Sequence, residues 1–177
     1  MRSVTYDVAT SLDGFIAGAN DDISAFPAEG QHAADYFERL GTYQTVIMGR
    51  RTYEFGYAFG LEPGKRAYPH MDHHIFSSTL VLPGDAEVAV VREGWLDAVR
   101  RLKDADGGNI YLCGGGQFAG LLAANGLIDK LILKLAPVAI GEGVHLFGDQ
   151  TGRRGFTLVD AKPYDSGVVL LTYGKED

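Results

Sequence analysis

The chain has 177 residues, 46% hydrophobic and 22% charged, with a formal net charge of −7. That length suits one domain with a full layered core, and that composition excludes long disorder. The acidic balance, with no local run of Lys and Arg, excludes a general nucleic-acid binder, which needs a concentrated basic surface.

In chain order, residues 4–10 read as a first strand, and residues 11–30, rich in Gly, Asn, Asp and Pro, as a long loop. Residues 32–40 have helical spacing, with Ala33, Ala34, Phe37 and Leu40 forming one apolar stripe that Gly41 ends. A short buried strand is predicted at 45–48, a helix at 51–59 and a turn-rich loop at 60–72. Strands at 74–77 and 86–91 flank Pro83-Gly84, and 95–103 forms an amphipathic helix with Leu96, Val99 and Leu102 inward. Then come a strand at 109–113, a helix at 117–124 and a long strand at 128–136. The last strands, 156–163 and 168–174, pair as a hairpin around Asp165-Ser166-Gly167. The sum is about eight strands and four helices in one α/β domain, with an antiparallel part where strands follow one another without helices.

The one cysteine, Cys113, allows no internal disulfide, and the N-terminus carries no apolar signal core. No window approaches the ~20 apolar residues of a membrane span, so a cytoplasmic protein is expected. His70, His73 and His74 beside Asp72 could ligate zinc, but a zinc site usually rests on a fourth ligand in a closed geometry, and His74, which starts a strand, reads as structural.

Two segments place glycine directly between a strand and a helix. At Gly49-Arg50-Arg51-Thr52 the helix start adds two cations and a hydroxyl to unpaired backbone N–H groups, which suits a phosphate. At Cys113-Gly114-Gly115-Gly116-Gln117 three glycines allow close approach of backbone to a ligand. Neither matches a Walker loop or a GxGxxG fingerprint. Two such turns at the carboxyl ends of strands imply a nucleotide with more than one phosphate.

Val46-Ile47-Met48-Gly49-Arg50-Arg51-Thr52-Tyr53-Glu54 resembles the strand and helix of dihydrofolate reductase that meet the adenosine end of NADPH. Phe76-Ser77-Ser78 resembles its second adenosine-side turn, and Gly114-Gly115-Gly116 its pyrophosphate turn. Ser11-Leu12-Asp13-Gly14-Phe15-Ile16-Ala17 and Leu127-Ile128-Asp129-Lys130-Leu131 are similar to the reductase domain of riboflavin-biosynthesis proteins, the RibD C-terminal family. So is Ala136-Pro137-Val138-Ala139-Ile140-Gly141-Glu142-Gly143, and the motifs together span roughly residues 2–175.

The resemblance implies one three-layer α/β/α domain of dihydrofolate-reductase-like fold, with a mixed sheet of about eight strands. It implies an NADPH-dependent reductase, riboflavin-biosynthesis type, acting on a small heterocycle or a phosphoribosylamino-pyrimidine such as 5-amino-6-(5-phosphoribosylamino)uracil. Arg50, Arg51 and Ser77 or Ser78 would hold the 2′-phosphate, and Thr52 with Gly114, Gly115 and Gly116 the pyrophosphate. Gly49 and Gln117 complete the cofactor set at the two turns. Ala9, Ile16 and Ala17 would border the nicotinamide beneath a mobile loop holding Asp13, the first candidate for proton donor. Ala33 stands where dihydrofolate reductase carries an acid, and Cys113 where riboflavin-pathway reductases carry Glu, which points to the stand-alone members. A pterin reductase using Asp35, and a non-catalytic NADP-binding regulatory module, are the other readings. A small-molecule substrate and a homodimer, assembled through the apolar last strands, are the expected partners.

Overall fold

A computed structural model describes residues 1–150 and 152–176. Its first half comprises β1 (Val4–Thr10), β2 (Phe15–Ala17), α1 (Gln31–Leu40), β3 (Thr45–Gly49), α2 (Arg50–Phe55), β4 (Asp72–Phe76) and β5 (Ala89–Val91). The second half comprises α3 (Trp95–Asp104), β6 (Ile110–Gly114), α4 (Gly116–Ala124), β7 (Lys130–Leu135), β8 (Val144–His145), β9 (Phe156–Pro163) and β10 (Val169–Lys175).

Alternation along the strands sorts the apolar side chains into two cores. Ile47, Ile110 and Leu112 pack on one face of the sheet beneath Val99 of α3 and Phe118 and Leu122 of α4. Val46, Met48 and Tyr111 pack on the other with Leu40 of α1 and Tyr53 of α2. Strands covered on both faces read as near-continuous apolar runs, which is why β3 and β6 were legible in the sequence. The result is three layers, helices on either side of an eight-stranded sheet ordered β5-β4-β3-β6-β1-β7-β10-β9. From β5 to β7 every pairing is parallel, while β10 runs antiparallel to both β7 and β9. Among the described residues, no helix is long and apolar enough to cross a membrane.

Four local expectations change. The strand expected at 86–91 shortens to Ala89–Val91, because Ala86 N–H closes a turn onto Pro83 and Glu87 N–H bonds Gly64 C=O. The helix expected at 51–59 starts at Arg50 and tightens into a 3-10 turn, Gly56–Phe59. The long loop at 11–30 contains β2, which pairs with the unexpected β8 as a separate two-stranded ribbon. Finally, the inward stripe of α1 is His32, Tyr36 and Leu40, whereas Phe37 is 68% exposed. The reason is polar: α1 covers the buried carboxylate of Asp7, so Arg39 and Tyr36 turn inward in place of Phe37.

Candidate active site

The carboxyl ends of β1, β3, β4, β6 and β7 open into one cleft of about 880 Å3, the place where open α/β sheets bind ligands. The two glycine turns meet in its middle. Gly49 joins β3 to α2 and Gly115 joins β6 to α4, and neither helix start carries a side-chain cap. Gly114 has φ of +120°, a conformation that favours glycine, and its peptide bond to Gly115 is cis. A Cβ on Gly115 would lie 3.2 Å from the Thr52 hydroxyl, and one on Gly116 only 2.2 Å from His145 C=O. Gly116 is thus packed against the backbone of residues 145–148, while at Gly115 the uncapped start of α4 lies beside the Thr52 hydroxyl, a pairing suited to a diphosphate. Gly49, Thr52, Gly115, Gly116 and Gln117 line the cleft; Gly114 shapes the turn from outside the lining.

At one end of the cleft lie Arg50, Arg51, Ser77 and Ser78. Arg50 is half-exposed and only loosely paired with Glu54 at 3.7 Å, whereas Arg51 holds Asp21 at 2.9 Å. The buried Ser77 oxygen accepts bonds from the N–H groups of Thr79 and Leu80, which fixes the turn after β4. Beside it Phe76 stacks on Phe118 at 4.5 Å, with Trp95 edge-on to both. Among the described residues the Trp95 indole N–H is buried with no partner. An unmet buried donor costs about 1–3 kcal/mol, which an acceptor on a bound ligand would recover.

The other end is bordered by Ala9, Ile16 and Ala17, and its floor is a polar cluster. The fully buried Asp7 carboxylate accepts from Arg39 Nε at 2.9 Å and pairs with Lys134 Nζ at 3.3 Å. Lys134 Nζ also lies 3.3 Å above the Tyr36 ring. Tyr36 and Tyr111 share a hydroxyl hydrogen bond of 2.7 Å, and the Tyr68 hydroxyl lies 3.6 Å from the Cys113 sulfur. Burial pushes the Cys113 thiol, the Tyr36 hydroxyl and the Tyr111 hydroxyl up, and pushes the Lys134 ammonium down, each favouring the uncharged form. Sequence reasoning missed this cluster, although a signal existed: Asp7 stands between Tyr6 and Val8, and Lys134 between Leu133 and Leu135, each a charge with apolar neighbours inside a strand.

Asp13 lies outside the cleft lining and does other work. Its carboxylate accepts from the Ser11 hydroxyl at 2.5 Å and from the N–H groups of Ile140 and Gly141 at 3.0 and 2.7 Å. Those bonds, the Ser11 one foremost, hold its pKa near 2. A carboxyl so firmly ionised is a poor proton donor, and the loop expected to be mobile is bonded through β2 to β8. Asp35 is likewise committed, taking Lys162 Nζ at 2.5 Å, Gln31 at 2.6 Å and the Tyr164 hydroxyl at 2.7 Å, which together hold it well below the usual carboxylate range. His70 Nε2 bonds Leu40 C=O at 3.0 Å. His73 accepts from Tyr68 N–H at Nε2, so Nδ1 carries the proton it shares with Met71 C=O.

The family model of the RibD C-terminal domain matches residues 2–170. The uncharacterized protein YwjB of Bacillus subtilis (strain 168) is 31% identical over 175 residues, which cover 96% of this chain and 95% of that one. A candidate riboflavin biosynthesis protein of Shewanella sp. PV-4 superposes with a TM-score of 0.81 at 21% identity, each chain fully covered. A diaminohydroxyphosphoribosylaminopyrimidine deaminase/5-amino-6-(5-phosphoribosylamino)uracil reductase of Thermotoga maritima gives 0.73 at 14% identity, over 99% of this chain and 57% of that one. The architecture is therefore the dihydrofolate-reductase-like fold of riboflavin-biosynthesis-type reductases.

Proposed function

The chain belongs to the RibD C-terminal domain family, and from that premise we propose that it is an NADPH-dependent oxidoreductase reducing a small unsaturated heterocycle, with phosphoribosylamino-pyrimidines as the nearest class. The observation that carries this reading is the meeting of Thr52 and Gly115 in the cleft lining, which sets a hydroxyl beside the uncapped start of α4. Bound there, NADPH would supply the hydride, since no side chain of the protein can.

The residues divide the rest of the work. Arg50 and Arg51 flank the cleft mouth as charge partners for a 2′-phosphate, Arg50 more freely because Arg51 already holds Asp21. Ser77 and Ser78 lie beside them. Gly49, Thr52, Gly115, Gly116 and Gln117 would bind the diphosphate, with Gly114 setting the turn. Ala9, Ile16 and Ala17 would form an apolar seat for the nicotinamide, excluding water from the transfer. The commitment of Asp35 to Lys162 and Tyr164 speaks against a pterin anchored by that carboxylate.

Thermal shift with NADPH and NADH tests the cofactor reading. NADPH should stabilise the protein, and Arg50→Ala should weaken NADPH about 10-fold while leaving NADH unchanged, the loss of one charge-assisted contact at a half-exposed site. Equal loss for both cofactors would remove Arg50 from the 2′-phosphate site, and no shift with NADPH would remove the cofactor.

A further inference from the structure

A hydride given to a polarised double bond leaves an electron pair on the neighbouring heteroatom, and that atom needs a proton. We propose that Lys134 is the proton donor, delivering it from Nζ to the nitrogen or oxygen next to the carbon that receives the hydride. The proposal rests on the NADPH reading above and adds to it a catalytic residue and a substrate class: compounds with a reducible C=N or C=O group.

Geometry carries it. Lys134 on β7 is the direct register partner of Ala9 on β1, and Asp7 lies two residues before Ala9 on the same face. Ala9 borders the apolar end of the cleft, so the Lys134 side chain rises from the floor beside the place where a nicotinamide would lie. Only 12% of that side chain is exposed, and Nζ is held between the Asp7 carboxylate and the Tyr36 ring at 3.3 Å from each. The cation is therefore aimed and dehydrated rather than waving in solvent. Its surroundings also set the sign of the local field. Asp7 faces two cations, Lys134 and Arg39, so the cluster carries a net positive charge (two cations against one carboxylate) and would stabilise an anion forming on the substrate.

The other protic groups around Lys134 are worse donors. On α1 there is Tyr36; on β6 there are Tyr111 and Cys113; Tyr68 lies against Cys113. Burial raises Tyr36, Tyr111 and Cys113, while Cys113 and burial raise Tyr68, so all four hold their protons more tightly than usual. Arg39 never releases its proton at working pH. Lys134 alone moves the other way, because burial outweighs the pull of Asp7. The step balances: a new C–H bond forms from the hydride, the π pair of C=N or C=O moves to the heteroatom, and that atom gains the Nζ proton. Neutral Lys134 then recovers a proton from water at the cleft mouth.

The test uses the full chain with NADPH and three acceptors: a cyclic imine (2-methyl-1-pyrroline), a pterin (7,8-dihydrobiopterin) and an aldehyde (pyridine-3-carbaldehyde). Wild type should oxidise NADPH with at least one of them. Lys134→Met should bind NADPH with the same thermal shift yet lose about 100-fold or more in kcat. Lys134→Arg, which keeps the charge but holds its proton, should be nearly as slow. In wild type kcat/KM should fall on the alkaline side with a midpoint below the ordinary lysine value, matched by the Nζ midpoint from 15N NMR. In Asp7→Asn both midpoints should move to lower pH together, since the carboxylate that favours the ammonium is gone. Full activity of Lys134→Arg, or an alkaline limb that ignores Asp7→Asn, would overturn the proposal. Wild type that binds NADPH but turns over none of the three acceptors overturns it as well. Failure to bind NADPH at all is a separate result, striking the cofactor reading and with it the hydride this step requires.

Discussion

Asp7→Asn is the substitution whose cost follows most directly from the structure. The carboxylate is fully buried, with Arg39 at 2.9 Å on one oxygen and Lys134 at 3.3 Å on the other. Asparagine keeps the shape but leaves two cations facing each other without a counter-charge. Removing one partner from a buried ion pair costs about 3–5 kcal/mol. Arg39 retains 22% of its side-chain exposure and Lys134 12%, so water recovers part of the loss and the lower figure applies. For a chain of this size about 3 kcal/mol lowers Tm by roughly 6–12 °C. Lys134→Met should cost less, because Asp7 keeps Arg39. Calorimetry or circular dichroism melts of the two variants beside wild type measure both effects. An Asp7→Asn protein melting within about 2 °C of wild type, or melting above Lys134→Met, would refute the view that one carboxylate neutralises this cluster.

Two further outcomes follow from contacts already described. Gly116→Ala places a Cβ 2.2 Å from His145 C=O and 2.9 Å from Gly148 N, both backbone, so about 1–3 kcal/mol and most NADPH affinity should be lost; Gly84→Ala, with nothing within 4 Å, is the matched neutral control. The His73 imidazole, pushed down to about 4 by burial, is neutral in the folded protein where the unfolded chain is protonated. Its contribution to stability is therefore complete above the unfolded value near 6.5 and falls away as pH drops toward 4. Tm should decline over that window, and a His73 imidazole proton resonance titrating near 6.5 would show the depression to be absent.

How much of this was legible depended on the range of the contacts. Strands β3 and β6 are buried on both faces, so their apolar runs and flanking glycines could be read locally, and the cleft's two turns came with them. The inward face of α1 could not, because what it covers is a charge on another strand: Phe37 fits an apolar stripe, but Arg39 has a carboxylate to reach. The Asp7–Lys134 pair links strands 127 positions apart (134 − 7), and neither residue alone says which partner it takes. The setting of Asp13 was hidden for the same reason. Its loop setting suggested an acid over the cofactor, while the N–H groups that bind its carboxylate come from 127 and 128 residues later. Strand β8, only Val144–His145, is too short to show a period at all.

The ribbon of β2 and β8 has a consequence for how the protein is made. Phe15 leaves the ribosome long before His145, yet the two stack at 4.4 Å and their strands form one wall of the cleft. At ordinary synthesis speeds of about 5–20 residues per second, the early half of that wall waits roughly 6–26 s for the late half, the time taken by the 130 positions between them (145 − 15). Strand β1 waits as well, since its neighbours β6 and β7 follow more than a hundred residues behind. Whatever the cleft binds can therefore meet its finished form only after β8 has been made, and a nascent chain stalled before β8 would carry the two glycine turns without the wall that closes them.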